Sequence, residues 1–149
     1  MFFAGLGVTA PPNRFTQRDC WNAVKNSKLL AALKPRSQWL LEKILCGENG
    51  IATRHFVLQS PEEIFDITPD AMHARFAQHA PDLAARAARR ALDDAGCTPG
   101  EIDAVLISTC TGYLCPGLTS YVGEKLGLRK NVFALDLVGQ GCGAALPNL

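Results

Sequence analysis

Two apolar runs, AVLIST at residues 104–109 and VFALDLV at 132–138, flank the helix-like stretch LTSYVGEKLG. Neither run alternates polar and apolar residues as a strand with one wet face would, so both are expected to be buried strands. The order helix, strand, loop, helix, strand, turn then points to a layered α/β arrangement with helices on both sides of a sheet. In such sheets function gathers where strand ends meet helix N-termini. That rule selects two stretches, CTGYLCPG after the first strand and GQGCGAA after the second.

The rest of the chain supplies elements for the same layers. FFAGLGV reads as a first strand, ended by APPN, whose two prolines cannot donate to a ladder. A helix is expected from about Asp19, an acceptable N-cap, through CWNAVKNSKLLAAL, with Pro35 dividing it from SQWLLEKIL. Gly47 and Gly50 mark a loop, ATRHFVL an extended connection, and Ser60 with Pro61 the start of a short helix. Thr68, Pro69 and Asp70 repeat that start signal for the longest helix. Its stripe of Met72, Phe76, Ala80, Leu83, Ala84, Ala87, Ala91 and Ala95 should face a core. Pro81 should kink or split this helix and Gly96 should stop it. Thr98 and Glu101 then have capping-box spacing.

Composition narrows the function classes. A chain of 149 residues suffices for one domain, burying roughly 70% of its unfolded surface. A net charge of +1 without basic or acidic blocks offers no field for nucleic acid. The apolar start is too short for a signal or membrane segment, which predicts a cytoplasmic protein. The six cysteines, at positions 20, 46, 97, 110, 115 and 142, include no C-x-x-C pair and have no close histidine. They are expected to be free thiols in a reducing compartment and not metal ligands.

Cys142 stands apart because Gly139, Gly141 and Gly143 surround it. At a strand-to-helix turn, backbone N–H groups and the positive end of a helix would favour thiolate over thiol. The glycines would allow a sharp turn and let a substrate carbonyl approach backbone donors. Acyl transfer uses both features and leaves a thioester ready for a second step. Two alternatives stay open on the residues alone. Cys142 could be a buried small residue, or GQGCGA could be a dinucleotide turn, although that fingerprint belongs to the first βα turn of its fold. Pro147 biases Leu146 away from helical geometry, which would start the helix later and weaken its effect at sulfur.

The stretch DDAGCTPGEIDAVLISTCTGYLCPGLTSYVGEKLGL, followed by NVFALDLVGQGCGAALPNL, resembles the N-terminal half of the thiolase superfamily. Within it, the chain is most similar to the type III polyketide synthases, the chalcone and stilbene synthase family, particularly its bacterial members. APPNRFTQRD and GIATRHFVL fit the same family. The resemblance implies a layered αβαβα thiolase fold, with residues 1–149 forming its N-terminal part and the C-terminal half absent. It further implies a homodimeric acyltransferase that binds no cofactor and takes acyl-CoA and malonyl-CoA as substrates.

On that resemblance, Cys142 would accept the starter acyl group, Cys110 and Thr111 would line the starter and elongation cavity, and Cys115 would project toward the partner subunit's cavity. Plant relatives usually carry Thr where Cys110 stands. The catalytic His and Asn of the family would lie beyond Leu149, so the chain alone is expected not to condense. His55, His73 and His79 match neither role, and Asn148 is too near Cys142. The basic residues that hold CoA phosphates in plant relatives are not clearly reproduced around LLEKILCGENG. Two other readings remain: a non-catalytic half-domain acting through dimerisation, which would expose an apolar face, and a ketoacyl synthase III-like or hydroxymethylglutaryl-CoA synthase-like enzyme. Dependence on acyl carrier protein would mark the ketoacyl synthase.

Overall fold

The computed structural model describes residues 3–145. They form two compact units, one of residues 10–67 and one of residues 3–9 with 68–145.

The unit of residues 10–67 contains β1 (Asn13–Thr16), α1 (Gln17–Lys25), α2 (Lys28–Ala31), α3 (Pro35–Cys46) and β2 (Thr53–Phe56). The strands pair antiparallel, from Asn13 opposite Phe56 to Thr16 opposite Thr53, so the segment expected to be merely extended is a strand. The cap of α1 is Thr16, not Asp19. The Thr16 hydroxyl accepts from the Asp19 N–H at 3.1 Å, while the Asp19 carboxylate accepts the Thr16 N–H at 2.8 Å. Asp19 therefore closes a capping box three residues inside the helix.

The helix expected to continue through CWNAVKNSKLLAAL breaks at Asn26 and Ser27 because the Ser27 hydroxyl accepts the Leu30 N–H at 3.1 Å and starts α2 anew. Pro35 opens α3 as expected. Ser60 and Glu63 form a second capping box over the short 3-10 helix Pro61–Phe65. Cys20, Ala23, Leu30, Leu45 and Leu58 are buried within this unit.

The other unit contains α4 (Pro69–Ala95), β3 (Ala104–Thr109), α5 (Leu118–Leu126) and β4 (Phe133–Val138), followed by a 3-10 turn over Gly141–Ala145. The expected strands are present and parallel, in register from Ala104 opposite Phe133 to Thr109 opposite Val138. Leu118, Val122 and Leu126 of α5 are buried together with Leu114, and Val122 is only 1% exposed. Ile107 packs on this cluster from β3, and Phe76, Ala80, Ala84 and Ala88 pack on it from α4. Alternation along the strands turns Leu106 and Leu135, which are register partners, to the opposite face, where both are exposed.

Three expectations need correction. Of the kink or split expected at Pro81, the split does not occur: α4 runs unbroken from Pro69 to Ala95 with Pro81 buried inside it. Proline removes one hydrogen bond, but the α4 residues seated on the core lie on both sides of position 81. Met72 does not join them, being 48% exposed.

Residues 3–9 form no strand. Their polar groups go to α4: the Leu6 N–H donates to Asp94 Oδ2 at 3.0 Å, and Arg90 donates to the Val8 carbonyl at 2.5 Å. The segment also sits too close to α4 for side chains, since a Cβ on Gly7 would stand 2.0 Å from the Ala87 carbonyl oxygen. Leu6 and Val8 flank Gly7 and are 77% and 68% exposed.

Candidate functional site

The strand ends bring the two sequence-selected stretches side by side. Thr109, the last residue of β3, pairs with Val138, and its carbonyl accepts the Gly139 N–H at 3.2 Å. Cys110 and Thr111 follow directly, with the Thr111 N–H donating to Thr109 Oγ1 at 3.4 Å. From the next strand the backbone turns through Gly139 at φ +77° and Gly141 at φ +56°. Both lie in the left-handed region that favours glycine, which explains two of the glycines around Cys142.

Cys142 lies exposed on the 3-10 turn Gly141–Ala145. Among the described residues this stretch is a 3-10 turn, where the sequence predicted the mouth of a helix that Pro147 could delay. Pro147 lies outside the described residues. The turn rests on β3, where Ser108 Oγ donates to the Ala144 carbonyl at 3.4 Å and Ala144 is buried. The turn's position is thus set by the sheet, while Cys142 is exposed to solvent.

Each end of the Cys110–Gly117 loop is anchored. Gly112 sits on the Phe76 ring of α4, Leu114 is buried in the core, and the Cys115–Pro116 peptide is cis. At the far end Asp136 of β4 accepts the Thr119 N–H at 3.1 Å and the Thr119 hydroxyl at 2.5 Å. The sequence reading passed over Asp136. Its signal was an acid in an otherwise apolar strand, where a carboxylate needs partners.

Cys110, Thr111 and Cys115 are exposed along with Cys142. A cavity of about 430 Å³ in the same unit is lined by Ala88, Ala91, Leu92, Cys97, Val105 and Leu126, and none of the four belongs to it.

All six cysteines are unbridged. Burial pushes the Cys20 thiol up, with the Arg54 charge partly opposing it, so Cys20 is poorly suited to nucleophilic work. His55 is exposed, with Nδ1 3.0 Å from the Pro11 carbonyl oxygen, and His73 and His79 lie along α4. Among the described residues no group of three metal-ligating side chains converges, and no helix is long and apolar enough to cross a membrane.

Comparison with known proteins gives a consistent picture. The family described as FAE1/type III polyketide synthase-like protein matches residues 10–148. Bisdemethoxycurcumin synthase of Oryza sativa subsp. japonica is 31% identical over 148 residues, covering 92% of this chain and 36% of that protein. β-Ketoacyl-[acyl-carrier-protein] synthase III of Cereibacter sphaeroides is 34% identical over 115 residues, covering 76% of this chain and 28% of its own length. Among solved structures, the C-terminal type III polyketide synthase domain of a type I/III hybrid from Dictyostelium superposes with a TM-score of 0.82 at 27% identity, covering 99% of this chain and 41% of that one. The chain thus spans well under half the length of the relatives it matches, and its fold is the thiolase-like one of these synthases.

Proposed function

The chain belongs to the FAE1/type III polyketide synthase-like family, and on that premise we propose that it carries the nucleophile and part of the substrate cavity of a polyketide-forming acyltransferase. The observation that carries this reading is the exposed Cys142 on its glycine turn beside the Cys110–Gly117 loop. The Cys142 thiolate attacks the carbonyl carbon of an acyl-CoA; the new C–S bond forms, the bond to the CoA sulfur breaks, and CoA leaves as a thiolate that takes up a proton. Malonyl-CoA then loses CO2, and the resulting carbanion attacks the enzyme thioester, lengthening the chain by two carbons and releasing the Cys142 sulfur. Cys110 and Thr111 line the path of the growing chain, and Cys115 serves the partner subunit of a homodimer.

His55, His73 and His79 fill neither of the remaining catalytic roles, a His and an Asn that polarise the malonyl thioester. Those groups come from polypeptide beyond this stretch. Residues 1–149 alone are therefore expected to take up acyl groups without condensing them. Incubation with a starter acyl-CoA and radiolabelled malonyl-CoA tests this: labelled polyketide should appear only when the rest of a type III synthase is joined. Polyketide made by the 149-residue chain alone would contradict the division of roles.

Two further readings rest on particular observations. The likeness to a ketoacyl synthase III favours an extender carried on acyl carrier protein, and replacing malonyl-CoA by malonyl-acyl carrier protein in the same assay separates the two. The uncovered Leu106, Leu135, Leu6 and Val8 favour a half-domain that acts by docking. Under that reading no acyl group would be transferred to Cys142.

A further inference from the structure

We propose that Asp136 is a positioning residue for acyl transfer: through Thr119 it ties the far end of the Cys110–Gly117 loop to the strand that leads into Cys142. The inference rests on the reading of Cys142 as the acylated nucleophile. The near end of the loop is already fixed to β4 by the Gly139 N–H on the Thr109 carbonyl at 3.2 Å. The far end has no backbone ladder, since Leu118 begins α5. There the Asp136 carboxylate takes the Thr119 N–H at 3.1 Å on one oxygen and the Thr119 hydroxyl at 2.5 Å on the other.

Local chemistry explains why the clamp comes from another strand. The N-cap of α5 is Gly117, which has no side chain to receive the unpaired N–H groups of the first helical turn. Asp136 takes up one of them from outside, and a carboxylate is favoured at that end of a helix. The carboxylate lies against residue 117, since a Cβ there would stand 2.1 Å from Asp136 Oδ2 and would have to displace it. Thr119 is only 3% exposed, so water competes little for its hydroxyl. With both ends held to β4, the loop bearing Cys110, Thr111 and Cys115 keeps its place relative to the turn bearing Cys142. Loosening the loop then weakens its hold on the bound acyl-CoA, while Cys142 stays where its own turn on the sheet sets it.

The test compares Thr119→Val, Thr119→Ser and Asp136→Asn with the unaltered chain, by hydrogen exchange and by acylation of Cys142 with acetyl-CoA and hexanoyl-CoA followed by intact mass. Expected in Thr119→Val and Asp136→Asn is exchange about tenfold faster at the amides of residues 110–117, with strands 104–109 and 133–138 unchanged. Thr119→Ser, which keeps the hydroxyl, should restore the original protection. In the acylation arm the acyl-CoA concentration for half-maximal rate should rise about fivefold at an unchanged maximal rate.

Unchanged loop exchange in folded variants would overturn the proposal, as would a uniform rise across helices and strands or superimposable acylation curves. Should Asp136→Asn fail to fold, Thr119→Val against Thr119→Ser decides alone. An unaltered chain that takes no acyl group at Cys142 would remove the acyl-transfer reading and with it this role of Asp136. The exchange arm would still show whether the clamp holds the loop.

Discussion

The ring of Phe76 occupies the space that a side chain at residue 112 would need: a Cβ on Gly112 would stand 2.3 Å from Phe76 Cγ. Helix α4 thereby sets the height of the Cys110–Gly117 loop. Gly112→Ala should destabilise the unit by about 1 to 3 kcal/mol through overpacking, and Phe76→Ala by about 2 to 4 kcal/mol through lost packing. In the double variant the new methyl enters the space the ring vacated, so the combined loss should be smaller than the sum of the two. Urea denaturation of the four proteins measures this, and strict additivity would show that the two residues do not share that space.

Burial separates the two faces of the β3–β4 sheet, and the difference is measurable. Leu114 is 6% exposed in the core under α5, whereas Leu106 is 40% exposed on the other face. Leu114→Ala should cost about 2 to 4 kcal/mol, and Leu106→Ala well under about 1 kcal/mol. Equal losses in denaturation experiments on the 149-residue chain would mean that the Leu106 face is covered.

Three carboxylates should make the chain sensitive to acid. The hydroxyl and then the N–H of Thr16 hold Asp19 below its ordinary 3.8. The N–H and then the hydroxyl of Thr98 hold Glu101 below 4.5. The hydrogen bond and the charge of Lys125, 2.7 Å away, lower Asp82. A folded pKa below the unfolded one means that the unfolded chain binds the proton more tightly. The stabilisation is therefore complete above the ordinary carboxylate values and is lost as pH falls through the lowered ones. Carboxyl NMR titration should show all three depressed. Thr16→Val should raise Asp19 and Thr98→Val should raise Glu101, each leaving Asp82 unchanged.

Local signals in the sequence were legible where one residue decides the backbone. Thr68 and Pro69 start α4 and Gly96 ends it, Thr98 and Glu101 form their box, and the two apolar runs are the parallel strands. Signals that depend on a distant partner were not legible in this way. FFAGLGV has the composition of a strand, yet residues 3–9 hydrogen-bond to α4 side chains and join no sheet. Pro81 would end an isolated helix, but packing on both sides of it carries α4 through. Asp19 and Thr16 compete for the same cap, and Thr16 wins because Asp19 can answer it from inside the helix. At the candidate site the positions of Cys110, Cys142 and the glycine turn followed from strand ends. The Asp136–Thr119 clamp joins residues 17 positions apart, a spacing that no short pattern encodes.

The most direct measurement is the intact mass of the chain before and after exposure to a panel of acyl-CoAs, with peptide mapping of any adduct and with Cys142→Ser, Cys110→Ser and Cys115→Ser alongside. The expected result is a single thioester on the peptide containing Cys142, lost in Cys142→Ser and retained in the other two variants. An adduct that persists in Cys142→Ser, or no adduct with any acyl-CoA, would contradict Cys142 as the acyl-accepting nucleophile.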